Sequence, residues 1–451
     1  MRGAPEARPT RMRARDLVGA TPDTRNRYID LLRVVSIGVV VLGHWTIAVL
    51  GYRDGKFTGS NLLELDPNLQ IITWVFQVMP LFFIVGGFTN RTSWISASGR
   101  GTSYADWLRG RCARLIRPAL WFVGFWTVLP VAGVATGILP SGLARTGGVE
   151  VSLPLWFLAV YLASMIAIPP LAWAHSRLGP WTIVVLVAGT LLVDVARYGL
   201  DAGILGAANY AFVWLGVMEL GFLWAHGALR RPAWLPAAMA AGGLAAMGTL
   251  VTWFDYPISM IALTHAPRNN VQPPTLALLS LAVWQCGATL LFQDAANRWL
   301  ARPKVWLAVV VANSMVMTFY LWNMTAVVLA AVALFPTGIA PQPEPLGTAW
   351  WLLRPAWWVV CAICLAPFLL GFRWAERPAA APAPARTGVL GSAVSLVGTM
   401  AAAAGLAVLA ANAFPVPGEV VLWPGVGVGC LVAGAVLLRV DPLGPRRAPA
   451  A

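Results

Sequence analysis

Two side chains near the start of the chain have the types and the spacing to act together. Arg33 and His44 sit in an otherwise apolar stretch, Leu31-Leu-Arg33-Val-Val-Ser-Ile-Gly-Val-Val-Val-Leu-Gly-His44. On a helix their separation advances about 1,100°, three turns plus about 20°. Both then share one face, roughly 16 Å apart along the axis. Arg33 falls near one end of the helix and His44 well inside it. An ionisable group in an apolar spanning helix is costly, which makes it a functional candidate. A neutral imidazole can accept a proton from a hydroxyl, or carry an acyl group briefly. The structural alternative is a histidine bonded to a neighbouring carbonyl, with Arg33 reaching out to lipid headgroups. Periodicity alone does not choose between them.

A second cluster is Arg111-Cys-Ala-Arg114-Leu-Ile-Arg117-Pro118, with arginines at i, i+3 and i+6 leaving one sector of a helix or turn. Guanidinium groups hold phosphate oxygens in pairs, so this edge could bind an anion. Topology-setting charge at a membrane surface explains the same spacing. Other apolar segments hold Asp194 and Arg197, which could pair as i and i+3. Glu219 has no local partner; it could bond His44, bond a substrate, or sit protonated. His175, His226 and His265 read as solvated positions at helix ends or in loops. Cys361 and Cys364 form a CxxC inside an apolar helix, where redox or metal chemistry lacks polar partners. The histidines show no HxxxH or HExxH spacing, so no metal site is expected.

The elements that must position these groups follow from composition. Of 451 residues, 58% are hydrophobic and 11% charged, against about 25% charged in soluble domains. Lipid must cover what charge does not. Apolar windows predict helices near 29–51, 70–90, 118–138, 152–174, 181–200, 209–227, 233–254, 275–294, 305–333, 349–372, 389–411 and 419–438. With the N-terminus in the cytoplasm, 25 of the 32 Lys and Arg fall on the cytoplasmic side. Only Arg53, Lys56, Arg145, Arg197 and Arg268 fall outside, and Arg33 and Arg354 lie within helices; this is the bias expected of a correct helix count. The net charge of +14 therefore reflects topology and not a nucleic-acid stripe.

The expected organisation is a basic cytoplasmic tail (1–27), a ten-helix working domain (28–375), a Pro/Ala linker (376–387), a small-residue transmembrane hairpin (388–440) and a short cytoplasmic tail (441–451). The fold class is an all-α polytopic bundle in a cytoplasmic membrane. The hairpin shows no chemistry, and oligomeric state is not legible.

These residues resemble the acyltransferase-3 family of membrane-bound acyl transferases. Arg33 and His44 match its R-x10-H spacing, and Arg111 and Arg114 its arginine pair. Phe82-Phe83-Ile-Val-Gly86-Gly-Phe88, Trp156-Phe157-Leu158 and Tyr320-Leu321-Trp322 are further similarities, spread in order over about 28–375. The resemblance implies transfer of an acyl group, often acetyl, from cytoplasmic acyl-CoA to a hydroxyl of a glycan, envelope intermediate or small metabolite. It implies His44 as the catalytic residue with Arg33 as its partner, and Arg111 and Arg114 at the donor. Glu219, Tyr320 and Asn323 become substrate-binding candidates. Gly86 replaces a serine common in the family, and Asn323 a histidine found in some relatives. Asn can orient a group but cannot take a proton. The competing reading is a transporter or flippase. Transporters often carry two similar halves, and no such repeat is visible here.

Overall fold

The structure, a computed structural model, describes residues 25–200, 202–263, 268–377, 388–418 and 421–443. The first 24 residues, His265 and most of the Pro/Ala segment lie outside them. Among the described residues ten helices are long and apolar enough to cross a membrane, or eleven if the bent pair Ser141–Ser152 and Leu155–Ile166 forms one span. Sheet among the described residues is confined to one two-stranded hairpin. The chain is an all-α, multi-pass membrane protein.

The first helix, α1, runs Arg27–Ile47 and is capped by Asn26, whose side chain accepts from the Tyr28 and Ile29 amides. The sequence predicts this helix to 51, but it ends at Ile47, because β1 (Ala48–Arg53) and β2 (Lys56–Asn61) follow as an antiparallel hairpin. Asp54 and Gly55 between them both have positive φ, the geometry for which Asp-Gly is the favoured pair. His44 therefore lies in the last turn of α1 and not deep within it.

After α2 (Met79–Gly99) comes α3 (Tyr104–Ala135), a single helix of 32 residues. Ser103 caps it, its hydroxyl accepting from the Asp106 amide at 3.1 Å. The arginine cluster expected ahead of the third span thus lies inside the same continuous helix. The span expected over 152–174 is broken into α4 (Ser141–Ser152), α5 (Leu155–Ile166) and α6 (Ile168–Leu178), with a 41° bend between the first two. Pro154, Pro169 and Pro170 remove the amide donors a straight helix would need. There follow α7 (Trp181–Gly199), α8 (Asn209–His226), α9 (Leu235–Trp253) and α10 (Leu276–Leu300). The span expected over 305–333 divides into α11 (Pro303–Asn313) and α12 (Val316–Leu334). The Glu376 carboxylate accepts from the Met317 amide at 3.0 Å and the Thr318 amide at 2.6 Å, which satisfies the new helix start. Then come α13 (Thr348–Phe372), α14 (Val389–Asn412) and α15 (Leu422–Leu437), the last only 16 residues long.

The helix ends sort into two sets, as alternating spans require. Arg27 donates to the Leu300 carbonyl and Arg109 to the Leu438 carbonyl, tying ends on one side. The Tyr52 amide donates to Gln342, Trp74 to Ile258 and Arg145 to Asn412, tying ends on the other. These are called below the arginine end and the hairpin end.

Close packing relies on glycine where backbones touch. A Cβ on Gly87 would stand 2.1 Å from the Met218 carbonyl oxygen, and one on Gly221 the same distance from the Ile84 oxygen. So α2 and α8 meet backbone to backbone. The α14–α15 hairpin, expected as an appendage, is part of the core. Phe414, just beyond α14, packs on Phe122 and Trp126 of α3 at 6.0 and 6.2 Å between ring centroids. Arg117 donates to the carbonyls of Asp441 and Arg377, and Trp121 to that of Pro442.

Candidate active site

The face shared by Arg33 and His44 lies against the broken helix α11–α12. Arg33 reaches Asn313, at the last residue of α11, at 3.4 Å. His44 reaches Asn323 in α12 with 3.1 Å between Nδ1 and Oδ1. The two contacts are separated by similar rises on each helix, about 15–16 Å, so the elements run side by side. His44 is half-buried and turned into the bundle.

The Asn323 amide is fixed at both ends. Its Nδ2 donates to the Tyr320 carbonyl at 2.5 Å, which directs Oδ1 toward the imidazole. An amide oxygen only accepts, so Nδ1 of His44 carries the proton. Nε2 is left as the basic nitrogen, with no hydrogen-bond partner among the described residues. The neighbouring Trp45 donates Nε1 to the Asn323 carbonyl at 3.0 Å, locking α1 and α12 in register. This arrangement can deprotonate a hydroxyl at Nε2 and later return the proton.

At the arginine end the groups converge differently from expectation. Asp30 sits between three partners: Arg33 at 3.3 Å, Asn313 at 3.0 Å and Arg25 at 2.5 Å. Arg33 is thus oriented by a carboxylate, and makes no contact with His44. Arg111 donates through Nε to the buried Asn90 at 3.1 Å, and Asn90 in turn to the Tyr161 hydroxyl at 3.3 Å. Arg114 is exposed. Arg33 is thus held by a carboxylate and Arg111 by an amide, while Arg114 of the same helix as Arg111 is left to solvent. Arg109 and Arg117, from the same helix, face the other way and hold the α14–α15 hairpin.

Tyr320 is fully buried and its hydroxyl donates to the Pro154 carbonyl at 2.6 Å. Its ring packs edge-on to Phe157, which in turn meets Phe82 and Phe83. Expected at the substrate, Tyr320 has its hydroxyl taken up by this bond, and the three aromatic motifs pack together around its ring. Gly86 faces the Tyr161 ring, which a Cβ there would approach to 2.7 Å. The serine usual in the family has no room while Tyr161 occupies that space.

Glu219 bonds neither His44 nor the Asn323 region. Its Oε1 pairs with His175 Nδ1 at 2.5 Å, and His175 Nε2 meets His226 Nδ1 at 3.2 Å. His175, expected at a solvated end, is buried, because α6 and α8 lie against each other. Asp194 does not bond Arg197. It accepts from Asn209, Tyr256 and the Leu276 amide, while Arg197 donates to the Pro273 carbonyl. Burial and this carboxylate raise the Tyr256 phenol well above its ordinary range. Among the described residues no group of three His, Cys, Asp or Glu is placed to hold a metal ion.

Sequence reasoning missed Asp30, Asn313, Asn90 and Glu376. For Asp30 a signal existed in the i, i+3 spacing to Arg33. The others depend on which helices become neighbours.

Comparison with known proteins adds one finding. A family model described as an acyltransferase domain matches residues 26–373. Neither a curated protein nor a solved structure matches the chain.

Proposed function

Because the chain belongs to the acyltransferase family, we propose that it moves an acyl group, in the simplest case acetyl, from cytoplasmic acyl-CoA to a hydroxyl of a glycan, envelope intermediate or small metabolite. The observation that carries this reading is the His44–Asn323 pair, which leaves Nε2 as the free base. The arginine end faces the cytoplasm, where most Lys and Arg fall. Arg33, Arg111 and Arg114 take the phosphates of the donor there. The pantetheine arm follows α1 toward His44, a rise of about 16 Å from Arg33.

Nε2 takes the proton of the acceptor hydroxyl as its oxygen attacks the thioester carbonyl. The C–S bond breaks, and the CoA thiolate leaves with the proton returned from Nε2. The products are an ester and free CoA. The Nδ1–H to Asn323 bond holds the ring and stabilises the imidazolium formed in between.

The test is purified protein in lipid nanodiscs with radiolabelled acetyl-CoA, scored for donor binding and for label released or transferred. His44→Ala is expected to keep donor binding and lose turnover. Turnover at the wild-type rate in that variant removes the role given to His44. Absence of acyl-CoA binding in the wild type favours a carrier instead.

A further inference from the structure

At the hairpin end a cavity of about 530 Å³ opens between the β1–β2 hairpin, the 335–345 segment and α13. Its size is that of a small-molecule pocket. Its wall is mainly apolar, with Leu50, Phe335, Trp350 and Trp357. Two arginines, Arg53 and Arg354, line it, and no carboxylate does. The predicted topology leaves few basic residues on this side of the protein, so a pair in one cavity stands against the overall bias.

Arg354 is half-buried in the wall. Its guanidinium lies over the Trp350 ring at 3.5 Å and donates to the Trp45 carbonyl at 3.4 Å. It forms no ion pair among the described residues. A guanidinium has five donors, and one bond to a carbonyl leaves most of them unspent in a partly desolvated site. A cation stacked on an indole, facing an apolar cavity without a counter-ion, suits an anion attached to an apolar body.

The cavity also adjoins the catalytic helix face. Ala48, in its wall, is one helical turn beyond His44. The Trp45 carbonyl that Arg354 bonds belongs to the residue after His44, and the Trp45 indole is bonded to Asn323.

We infer that this cavity is the acceptor site, and that it takes an amphiphile whose phosphate or carboxylate is held by Arg354 and Arg53 while its apolar part lies along Trp350 and Trp357. Naming the ligand as the acceptor rests on the acyltransferase reading. The anion site itself does not.

The test is equilibrium binding of radiolabelled dodecyl phosphate to purified protein in nanodiscs of neutral lipid, without CoA. Dodecanoate, dodecanol and inorganic phosphate are the competitors. Saturable binding is expected, with dodecanoate competing and with dodecanol and inorganic phosphate each at least about tenfold weaker. Competition by dodecanoate equal to the phosphate assigns the source as a general anion, and a much weaker effect assigns it as phosphate; both support the site. Arg354→Gln and Arg53→Gln are each expected to weaken binding about tenfold, with Arg354→Lys between. Dodecanol binding as tightly as dodecyl phosphate, or unchanged affinity in Arg354→Gln, overturns the proposal. If Arg354→Gln does not elute as a single folded species, Arg53→Gln decides, since that side chain is exposed. A wild type that binds the probe but not acyl-CoA removes the enzyme reading and leaves the anion site standing.

Discussion

His44 and Asn323 face each other across α1 and α12 at 3.1 Å, and the asparagine decides which imidazole nitrogen is basic. The choice is made by the bond from Asn323 Nδ2 to the Tyr320 carbonyl, which prevents the amide from presenting its other end. The residue that cannot itself take a proton thereby controls where the proton goes.

Asn323→Leu is expected to lower kcat by about 10²-fold or more, with little change in the KM for acyl-CoA. Asn323→Asp keeps an acceptor for Nδ1–H and is expected to retain more activity. Steady-state kinetics of both variants check this. Equal loss in both, or a loss confined to KM, removes the tautomer argument.

The arginines of α3 should divide into two phenotypes. Arg114→Gln is expected to weaken acyl-CoA binding about tenfold at low salt, and the deficit should shrink as salt rises. Arg117→Gln removes donors to the carbonyls of Arg377 and Asp441. It is expected to lower thermal stability in detergent with donor affinity unchanged. A titration of CoA against each variant, beside its melting curve, separates the two.

Glu376→Ala strips the start of α12 of the carboxylate on the Met317 and Thr318 amides. A cost of about 1–2 kcal/mol is expected from the lost cap. Because α12 carries Asn323, activity should fall with stability. Thermal unfolding of the purified protein with no downward shift would contradict this.

Gly86→Ser restores the residue usual in the family but meets the Tyr161 ring at 2.7 Å. Overpacking of this kind costs about 1–3 kcal/mol. The pair Gly86→Ser with Tyr161→Ala should cost less than the sum of the single changes. A double-mutant cycle on melting temperature reads the coupling directly, and additive values would show the contact to be unimportant.

Much of this architecture is legible in the chain itself, for identifiable reasons. Apolar length marks nearly every span, and the separation of Arg33 and His44 places both on the face that meets α11–α12. Two local signals in the chain go beyond what the apolar windows read, which run the first helix on to 51 and start the third span at 118. Asp54-Gly55 sets the end of α1, and Ser103 with Asp106 starts α3 well before the apolar stretch. The polar pairings are another matter. Asp30 with Asn313, Arg111 with Asn90, and Glu219 with His175 join helices whose adjacency no local pattern encodes. Glu219 shows the limit well: an isolated carboxylate in an apolar helix has a partner, but the partner stands 44 positions away.

The bonds from α3 to the last two helices change what counts as the smallest working unit. The family match stops at residue 373, yet Phe122 and Trp126 are covered by Phe414, and Arg109 and Arg117 end on backbone oxygens supplied from 377, 438 and 441. A chain cut after the matched segment would present bare aromatic surface, and Arg117 would lose both carbonyls that it bonds, on the very helix that carries Arg111 and Arg114. The boundary drawn by homology runs through the middle of a cooperative folding unit.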